Sequence, residues 1–126
     1  MFENLSDLLK QIALGEDSVL ELKNVEFRGD KIIEPHRDSM ADELAAIANT
    51  ASGVIILGVD DKSREISGIP PEKLDIVEGW LRSICNDSID PPLDCVIRKL
   101  IVPDRQGVDK VILRIDVPRS LFVHKS

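Results

Sequence analysis

The sequence is poor in aromatic residues, which make up 3% of its 126 residues and include no tyrosine. Many proteins that bind single-stranded nucleic acid stack the bases on exposed aromatic rings, so this composition does not favour a stacking platform. Positive charge is also scarce, because 16 lysines and arginines are set against 23 acidic residues and the formal net charge is -7. An acidic surface repels a phosphate backbone unless its cations are gathered on one face. The composition therefore gives no support to general nucleic-acid affinity.

Cysteines and long apolar runs are scarce as well. The two cysteines, Cys85 and Cys95, have the spacing of neither a zinc site nor a CxxC motif, which predicts reduced thiols in the core of a cytoplasmic protein. No apolar run approaches the roughly 20 residues that a membrane helix needs. The N-terminus has no basic region followed by an apolar one, so we expect no signal peptide. A chain of 126 residues closes one core, and we expect a single domain over residues 1–126.

Three segments have helical patterns. Apolar residues at three-and-four spacing predict a first helix over residues 3–14. A second helix is predicted to begin at Ser39, which with Asp42 approximates an N-terminal cap, and it carries a narrow stripe of mostly small apolar residues. A third helix is predicted over residues 70–86, because proline is favoured in the first turn of a helix and apolar residues then follow on one face.

Apolar, β-branched runs bounded by turn residues predict the strands. The predicted strands are residues 18–27, a short piece at 31–33, 54–59, another short piece at 65–67, 93–103 and 109–118. The run at 54–59 has no polar alternation, which is typical of a strand buried on both faces. The last two runs flank an Asp-Arg-Gln-Gly turn and predict an antiparallel hairpin. The order α-β-α-β-β-α-β-β predicts an α+β domain with helices packed on a mixed, mostly antiparallel sheet.

Two passages resemble the Schlafen/AlbA-type DNA-binding domain family. In "ANTASGVIILGVDD", residues 48–61, the family pattern has Ala-Asn-Thr, a glycine pair, an apolar strand and Gly-Val-Asp. In "GEDSVLELK", residues 15–23, the family has a glutamate, a serine or threonine, and a Glu-aromatic-Lys strand. The residues that correspond are Glu16, Ser18, Glu21 and Lys23. With "EISGI" and "VILRIDVPRS", the resemblance extends over a core of about residues 15–120.

The sequence departs from the family pattern in three places. Ser52-Gly53 stands in place of the glycine pair, and Leu22 in place of the aromatic residue. The family pattern also continues into a Pro-His step and a last strand with arginine and glycine, whereas this sequence stops at "LFVHKS". We therefore expect a C-terminally truncated domain, and the missing strand would remove part of a basic binding surface.

The resemblance implies a DNA-binding domain of a prokaryotic transcriptional-regulator-like protein, without catalysis. Four cations near the first strand are the candidate phosphate contacts: Lys23, Arg28, Lys31 and Arg37. A surface ion pair is the alternative for Lys23, with Glu21 one pleat away. The family has also been labelled divergent AAA and ATP-binding, but "NTASGVIILG" lacks the lysine and hydroxyl of a phosphate-binding loop, so we expect no ATP hydrolysis of that type.

Acidic residues suggest a second function. Glu16 and Glu21 precede and enter the first strand, and Asp60 or Asp61 ends the neighbouring one, so the three carboxylates are placed to converge on Mg²⁺ or Mn²⁺. Some Schlafen relatives are similar in using two glutamates and an aspartate as an endoribonuclease site, which implies catalytic roles for Glu16, Glu21 and Asp60. The alternative is an acidic turn with solvated charges. A third function, a protein-interaction domain, fits the acidic surface, and the uncovered hairpin edge leaves a homodimer open.

The remaining motif residues have structural interpretations. We expect Asn49 and Thr50 to cap the second helix, and Gly53 to form the turn after it. Gly58 indicates a bulge or the close approach of another backbone. Trp80 is expected to anchor the core, and we expect both His36 and His124 to be solvated.

Overall fold

A computed structural model describes residues 4–12, 18–120 and 123–125. Within these ranges the chain is an α+β domain, as predicted. The helices are α1 (Leu5–Gln11), α2 (Arg37–Thr50) and α3 (Leu74–Ser83). The strands are β1 (Ser18–Lys23), β2 (Glu26–Arg28), β3 (Lys31–Glu34), β4 (Ser52–Leu57), β5 (Val96–Pro103) and β6 (Asp109–Val117). A 3₁₀ turn, Pro71–Lys73, precedes α3, and a π-helical turn, Ile84–Ser88, follows it.

Four strands form a mixed sheet in the order β1-β4-β6-β5, and β2 and β3 form a separate two-stranded ribbon. β1 runs parallel to β4, with Ser18 opposite Ser52 and Lys23 opposite Leu57. The other pairs, β4 with β6, β5 with β6 and β2 with β3, are antiparallel. A parallel pair needs a long crossover connection, and here the β2–β3 ribbon and α2 supply it. The predicted mixed, mostly antiparallel sheet is therefore confirmed.

The sheet has an apolar core on each face, and β4 belongs to both. Ile55 and Leu57 pack in the core shared with α2 and α3, whereas Val54 and Ile56 pack in the core beneath α1. Side chains alternate along a strand, so a strand covered on both faces has no position for a polar residue. This arrangement accounts for the uninterrupted apolar run, and the prediction of a doubly buried strand is confirmed.

The predicted strand at 18–27 is wrong in its length. β1 ends at Lys23, and β2 begins at Glu26 and pairs with β3 instead of continuing in the main sheet. Val25 and Phe27 pack against the core beneath α2 and α3, which draws the chain away from the sheet edge. The short extended piece predicted at 31–33 is confirmed as part of β3.

Helix boundaries also differ from the prediction. α2 begins at Arg37 rather than Ser39, because His36 is the N-cap and its Nδ1 accepts the Asp38 backbone N–H at 3.4 Å. α1 ends at Gln11, because Ile12 adopts an extended conformation, and positions 3, 13 and 14 of the predicted helix lie outside the described residues. α3 gives way after Ser83 to the π-helical turn, so regular helix does not reach residue 86.

Two smaller expectations concern the segment after β4 and the single tryptophan. The strand predicted at 65–67 is reduced to one antiparallel bridge between Val59 and Ile66. Trp80 is half-buried and packs at the margin of the core rather than within it. None of the helices in the described ranges is long and apolar enough to cross a membrane.

The C-terminal segment contains a buried histidine. His124, expected to be solvated, is only 5% exposed. Its Nδ1 lies 2.6 Å from the carbonyl oxygen of Pro91, and its Nε2 lies 2.6 Å from the Ser120 hydroxyl. The solvated interpretation of His124 is therefore wrong, because hydrogen bonds to both ring nitrogens compensate for its burial.

Candidate functional site

The first candidate site lies where the edge strand β1 faces α2. Val19 packs in the core beneath α2, so Glu21 and Lys23, which follow at alternate positions, lie on the same face of β1. The Lys23 ammonium is 2.8 Å from the Glu43 carboxylate of α2, and each side chain is 26% exposed. The ion pair expected as the alternative for Lys23 is thus present, with Glu43 in place of Glu21.

Glu21 carries an unfavourable charge. Burial raises the pKa of Glu21, the nearby Glu43 and Asp61 carboxylates raise it further, and Lys23 lowers it in part. Ionisation of Glu21 therefore costs the folded state free energy. Of the two aspartates predicted to approach Glu21, the structure shows this electrostatic effect for Asp61.

Asp60 is engaged in its own turn. Its Oδ1 accepts the backbone N–H groups of Lys62 and Ser63 at 2.9 and 2.8 Å and the Ser63 hydroxyl at 3.1 Å. Its Oδ2 accepts Asn24 Nδ2 at 3.1 Å. The bonds from Ser63 and Lys62 lower the pKa of Asp60. This arrangement matches the structural alternative, an acidic residue that orders a turn.

The predicted carboxylate cluster is not complete in the described part of the chain. Glu16 lies outside the described ranges, and among the residues inside them no group of three His, Cys, Asp or Glu side chains is arranged to hold a metal ion. The Lys23 ammonium, paired with Glu43, already supplies a cation beside Glu21. The described residues therefore do not fit a three-carboxylate metal site, and the metal-binding roles of Glu16, Glu21 and Asp60 stay predictions.

Opposite pKa shifts predict opposite effects on stability. The folded-state pKa of Glu21 lies above its ordinary value of 4.5, so Glu21→Gln should raise the melting temperature at neutral pH, and the gain should disappear as the pH falls toward 4.5. The folded-state pKa of Asp60 lies below its ordinary value of 3.8, so Asp60→Asn should lower the melting temperature at neutral pH. Thermal melts at pH 7 check both signs. At pH 4 the gain from Glu21→Gln should have largely gone, whereas the loss from Asp60→Asn, which fades only below pH 3.8, should largely remain. A loss of stability in Glu21→Gln at pH 7 would contradict the conclusion that the charge of Glu21 is unfavourable in the folded state.

The four candidate phosphate contacts differ in what else they bind. Lys23 is paired with Glu43, as described above. Arg37 donates through Nε to the Ser88 hydroxyl at 3.1 Å and through Nη2 to the Ser83 hydroxyl at 2.9 Å, which joins the start of α2 to the end of α3. Arg28 and Lys31 are exposed, and their side chains form no hydrogen bond or ion pair within the described ranges. These two are therefore the cations most available to a ligand.

Arg28 and Lys31 lie directly opposite each other at the end of the β2–β3 ribbon. A third cation joins them, because Lys73 donates from Nζ to the Gly29 carbonyl oxygen at 2.6 Å. The same ammonium lies 4.6 Å from the centre of the Phe27 ring, a cation–π contact that fixes its position. We call Arg28, Lys31 and Lys73 the ribbon tip. Its three positive charges are offset locally by Asp30 in the turn.

Three residues around these features were not predicted as site residues. Glu43 pairs with Lys23, Lys73 completes the ribbon tip, and Asn24 bridges Asp60 and Ser67. Each contact joins elements far apart in sequence, such as Lys73 and Gly29, which are 44 positions apart. Helix periodicity could have indicated Glu43, because it lies one turn before the buried Ile47 on α2 and residues one turn apart are neighbours on the helix surface.

The motif around Asn49 has a different role from the predicted one. Asn49 does not cap α2, because its side chain donates to the His124 carbonyl oxygen at 2.9 Å and accepts the His124 N–H at 2.7 Å. Thr50 does bond within the helix end, donating to the Ala46 carbonyl oxygen at 2.8 Å. Gly53 lies within β4 rather than in the predicted turn. A Cβ at this position would lie 2.9 Å from the Val19 carbonyl oxygen, so glycine here lets β4 lie close to β1.

Fold and site together define a small α+β domain whose edge strand β1 carries Glu21 and Lys23 and is followed along the chain by a two-stranded ribbon with a basic tip. The family model described as Schlafen, AlbA_2 matches residues 16–125. The chain therefore belongs to the Schlafen AlbA_2 family, as the two motifs predicted. Membership of this family suggests a nucleic-acid-binding domain.

Proposed function

We propose that this domain binds DNA through the ribbon tip, within a transcriptional-regulator-like protein of a prokaryote. The observation that carries the proposal is the convergence of Arg28, Lys31 and Lys73 in a chain whose formal net charge is -7. Family membership supports the choice of ligand.

The charge distribution of the β2–β3 ribbon favours a binding role. Like charges placed directly opposite each other destabilise an antiparallel pair, yet Arg28 faces Lys31, and within the described ranges neither side chain forms an ion pair. A phosphate backbone would relieve this repulsion. A two-stranded ribbon is also narrow enough to enter the major groove of DNA. Binding would then be mainly electrostatic and would weaken steeply with added salt.

Removing two cations of the ribbon tip should weaken binding to all sequences about equally. For Arg28→Ala/Lys31→Ala, we expect the slope of log Kd against log salt concentration to fall by about 1 for each lost phosphate contact. Fluorescence anisotropy with a mixed-sequence DNA duplex and with single-stranded RNA of the same length, at several salt concentrations, gives both the affinity and the slope. The same titrations show which nucleic acid the domain prefers.

A matched control distinguishes an effect of the ribbon tip from the effect of removing two positive charges elsewhere on the surface. Arg98→Ala/Lys99→Ala removes the same two residue types from exposed positions on β5, the opposite edge of the sheet from β1. This variant should keep most of the affinity and the salt dependence. Equal losses in the two double variants, with circular dichroism showing both folded, would contradict a specific role for the ribbon tip.

A metal-dependent endoribonuclease is the second candidate, and the crowding of Glu21 by Glu43 and Asp61 favours it. Raised carboxylate pKa values are common where catalytic groups are gathered. RNA cleavage that requires Mn²⁺ or Mg²⁺ and is abolished by Glu21→Gln would support this function. Retarded migration of RNA or DNA without cleavage would support binding alone.

A further inference from the structure

The two cysteines lie together although nine residues separate them in sequence. Cys85 belongs to the π-helical turn after α3, and Cys95 directly precedes β5. The Leu93 backbone N–H donates to the Cys85 carbonyl oxygen at 3.0 Å, which fixes the two segments side by side. Leu93, Cys95 and Ile97 occupy alternate positions of an extended segment and pack in the same core as Cys85. The thiols therefore meet at the margin of that core.

The surroundings of the two thiols differ. Cys85 is 5% exposed, whereas Cys95 is half-buried. A small cavity of about 60 Å³ is lined by both cysteines and by Arg82 and Asp94. A hydrogen bond from the Cys95 thiol lowers the pKa of Cys85, and the Arg82 charge lowers it further. The same hydrogen bond, together with burial and Asp94, raises the pKa of Cys95. Cys85 is thus the better thiolate, and Cys95 is the neighbouring thiol.

We infer that Cys85 and Cys95 are an oxidation site that forms an intramolecular disulfide on reaction with a peroxide. The Cys85 thiolate attacks one oxygen of hydrogen peroxide, the O–O bond breaks, and the products are a sulfenic acid and hydroxide, which takes up a proton to give water. Cys95 then attacks the Cys85 sulfur, the S–S bond forms, and the sulfenic hydroxyl leaves as a second water with the Cys95 proton. In total, two thiols are oxidised and one peroxide is reduced to two waters.

The cavity is suited to this reaction. Its volume is about that of two water molecules, which is enough space for one hydrogen peroxide molecule. A low-pKa cysteine that solvent can reach, next to a second thiol, is the usual arrangement of a redox-sensitive pair. Cys85 itself is only 5% exposed, so the cavity that both cysteines line is its route to a peroxide. The inference does not depend on the proposed nucleic-acid binding.

The test treats the folded chain with hydrogen peroxide and counts free thiols, with circular dichroism as the check on folding. We expect both thiols to disappear together and the intact mass to fall by two hydrogen atoms. No covalent dimer should form under non-reducing conditions. Dithiothreitol should restore both thiols. Peptide mapping without reduction should recover the peptides of Cys85 and Cys95 joined, a readout that needs no variant.

Two single-cysteine variants test the role that the mechanism assigns to each cysteine. In Cys95→Ser, dimedone should trap the sulfenic acid on Cys85, because no second thiol can resolve it. In Cys85→Ser, Cys95 should react slowly and give no loss of mass. Wild-type chain that keeps both thiols while folded, gains oxygen atoms on single cysteines, or forms covalent dimers would overturn the inference.

Discussion

Replacing Asn49 with alanine is expected to lower the free energy of unfolding by about 2–4 kcal/mol, because an unsatisfied buried polar group costs about 1–3 kcal/mol. The Asn49 side chain satisfies both backbone groups of His124, at 2.9 and 2.7 Å, and His124 is 5% exposed. Alanine would leave both groups without a partner. The Ser120 N–H donates to the carbonyl oxygen of Ala48, the residue before Asn49, at 2.8 Å. This second link between α2 and the C-terminal segment would then stand alone.

Urea denaturation measures this effect, and Thr50→Ala is the matched control. Thr50 is the next residue, its side chain is exposed, and its hydroxyl bonds only within α2. We expect the control to change stability by less than about 0.5 kcal/mol, as is usual for surface substitutions. Similar values for the two variants would show that the link between α2 and the C-terminal segment contributes little.

The second large effect is expected at Gly58, where alanine should cost about 2–3 kcal/mol. Gly58 has φ +105°, and a residue with a Cβ pays about 1–2 kcal/mol for a left-handed backbone conformation. A Cβ there would also lie 3.2 Å from Cγ2 of Ile112 and 3.3 Å from Cα of Gly68. The backbone at Gly68 has little freedom to retreat, because its N–H donates to the Gly58 carbonyl oxygen at 2.9 Å.

Gly79→Ala is the control for this prediction, because Gly79 lies in α3 with open space at its Cβ position. Alanine in a helix interior is favoured over glycine by roughly 0.5–1 kcal/mol, so this variant should be more stable than wild type. Denaturation midpoints of the two variants should therefore move in opposite directions. A neutral Gly58→Ala would mean that the close approach of Gly68 is easily relieved.

Gly58 also influences the position of the two aspartates that follow β4. The N–H groups of Gly58 and Val59 both point to the Lys23 carbonyl oxygen, at 2.7 and 3.3 Å, so the chain turns sharply where β4 ends. This turn sets where Asp60 and Asp61 lie relative to Glu21. Gly58→Ala should therefore alter the pH dependence attributed to Glu21 as well as stability.

The fold was predictable where local patterns and tertiary contacts agree. The apolar run of β4 and the hairpin of β5 and β6 each carry their own signal, and both are present. The division between β1 and β2 was not predictable, because Val25 and Phe27 are drawn to a core that alternation along one strand does not reveal. The burial of His124 depends on Asn49, which lies 75 residues away in sequence.

In the candidate sites, too, the residues with a local sequence signal were predictable and those that depend on tertiary contacts were not. The family motif located Glu21 and the aspartate pair, but sequence could not show that Asp60 is committed to its turn while Asp61 acts on Glu21. Arg28 and Lys31 were predicted from their position near the first strand. Lys73 was not, because its contact with Gly29 depends on how the turn before α3 packs against the ribbon.

The placement of α1 has a practical consequence for working with this domain. Leu5, Leu8 and Ile12 shield Val54, Ile56 and Ile112 from water, yet all of α1 precedes residue 16, where the family match begins. A fragment cut to the matched residues would leave one side of the sheet bare and prone to self-association. The smallest unit that keeps this sheet covered on both sides is thus longer than the range that the family model matches.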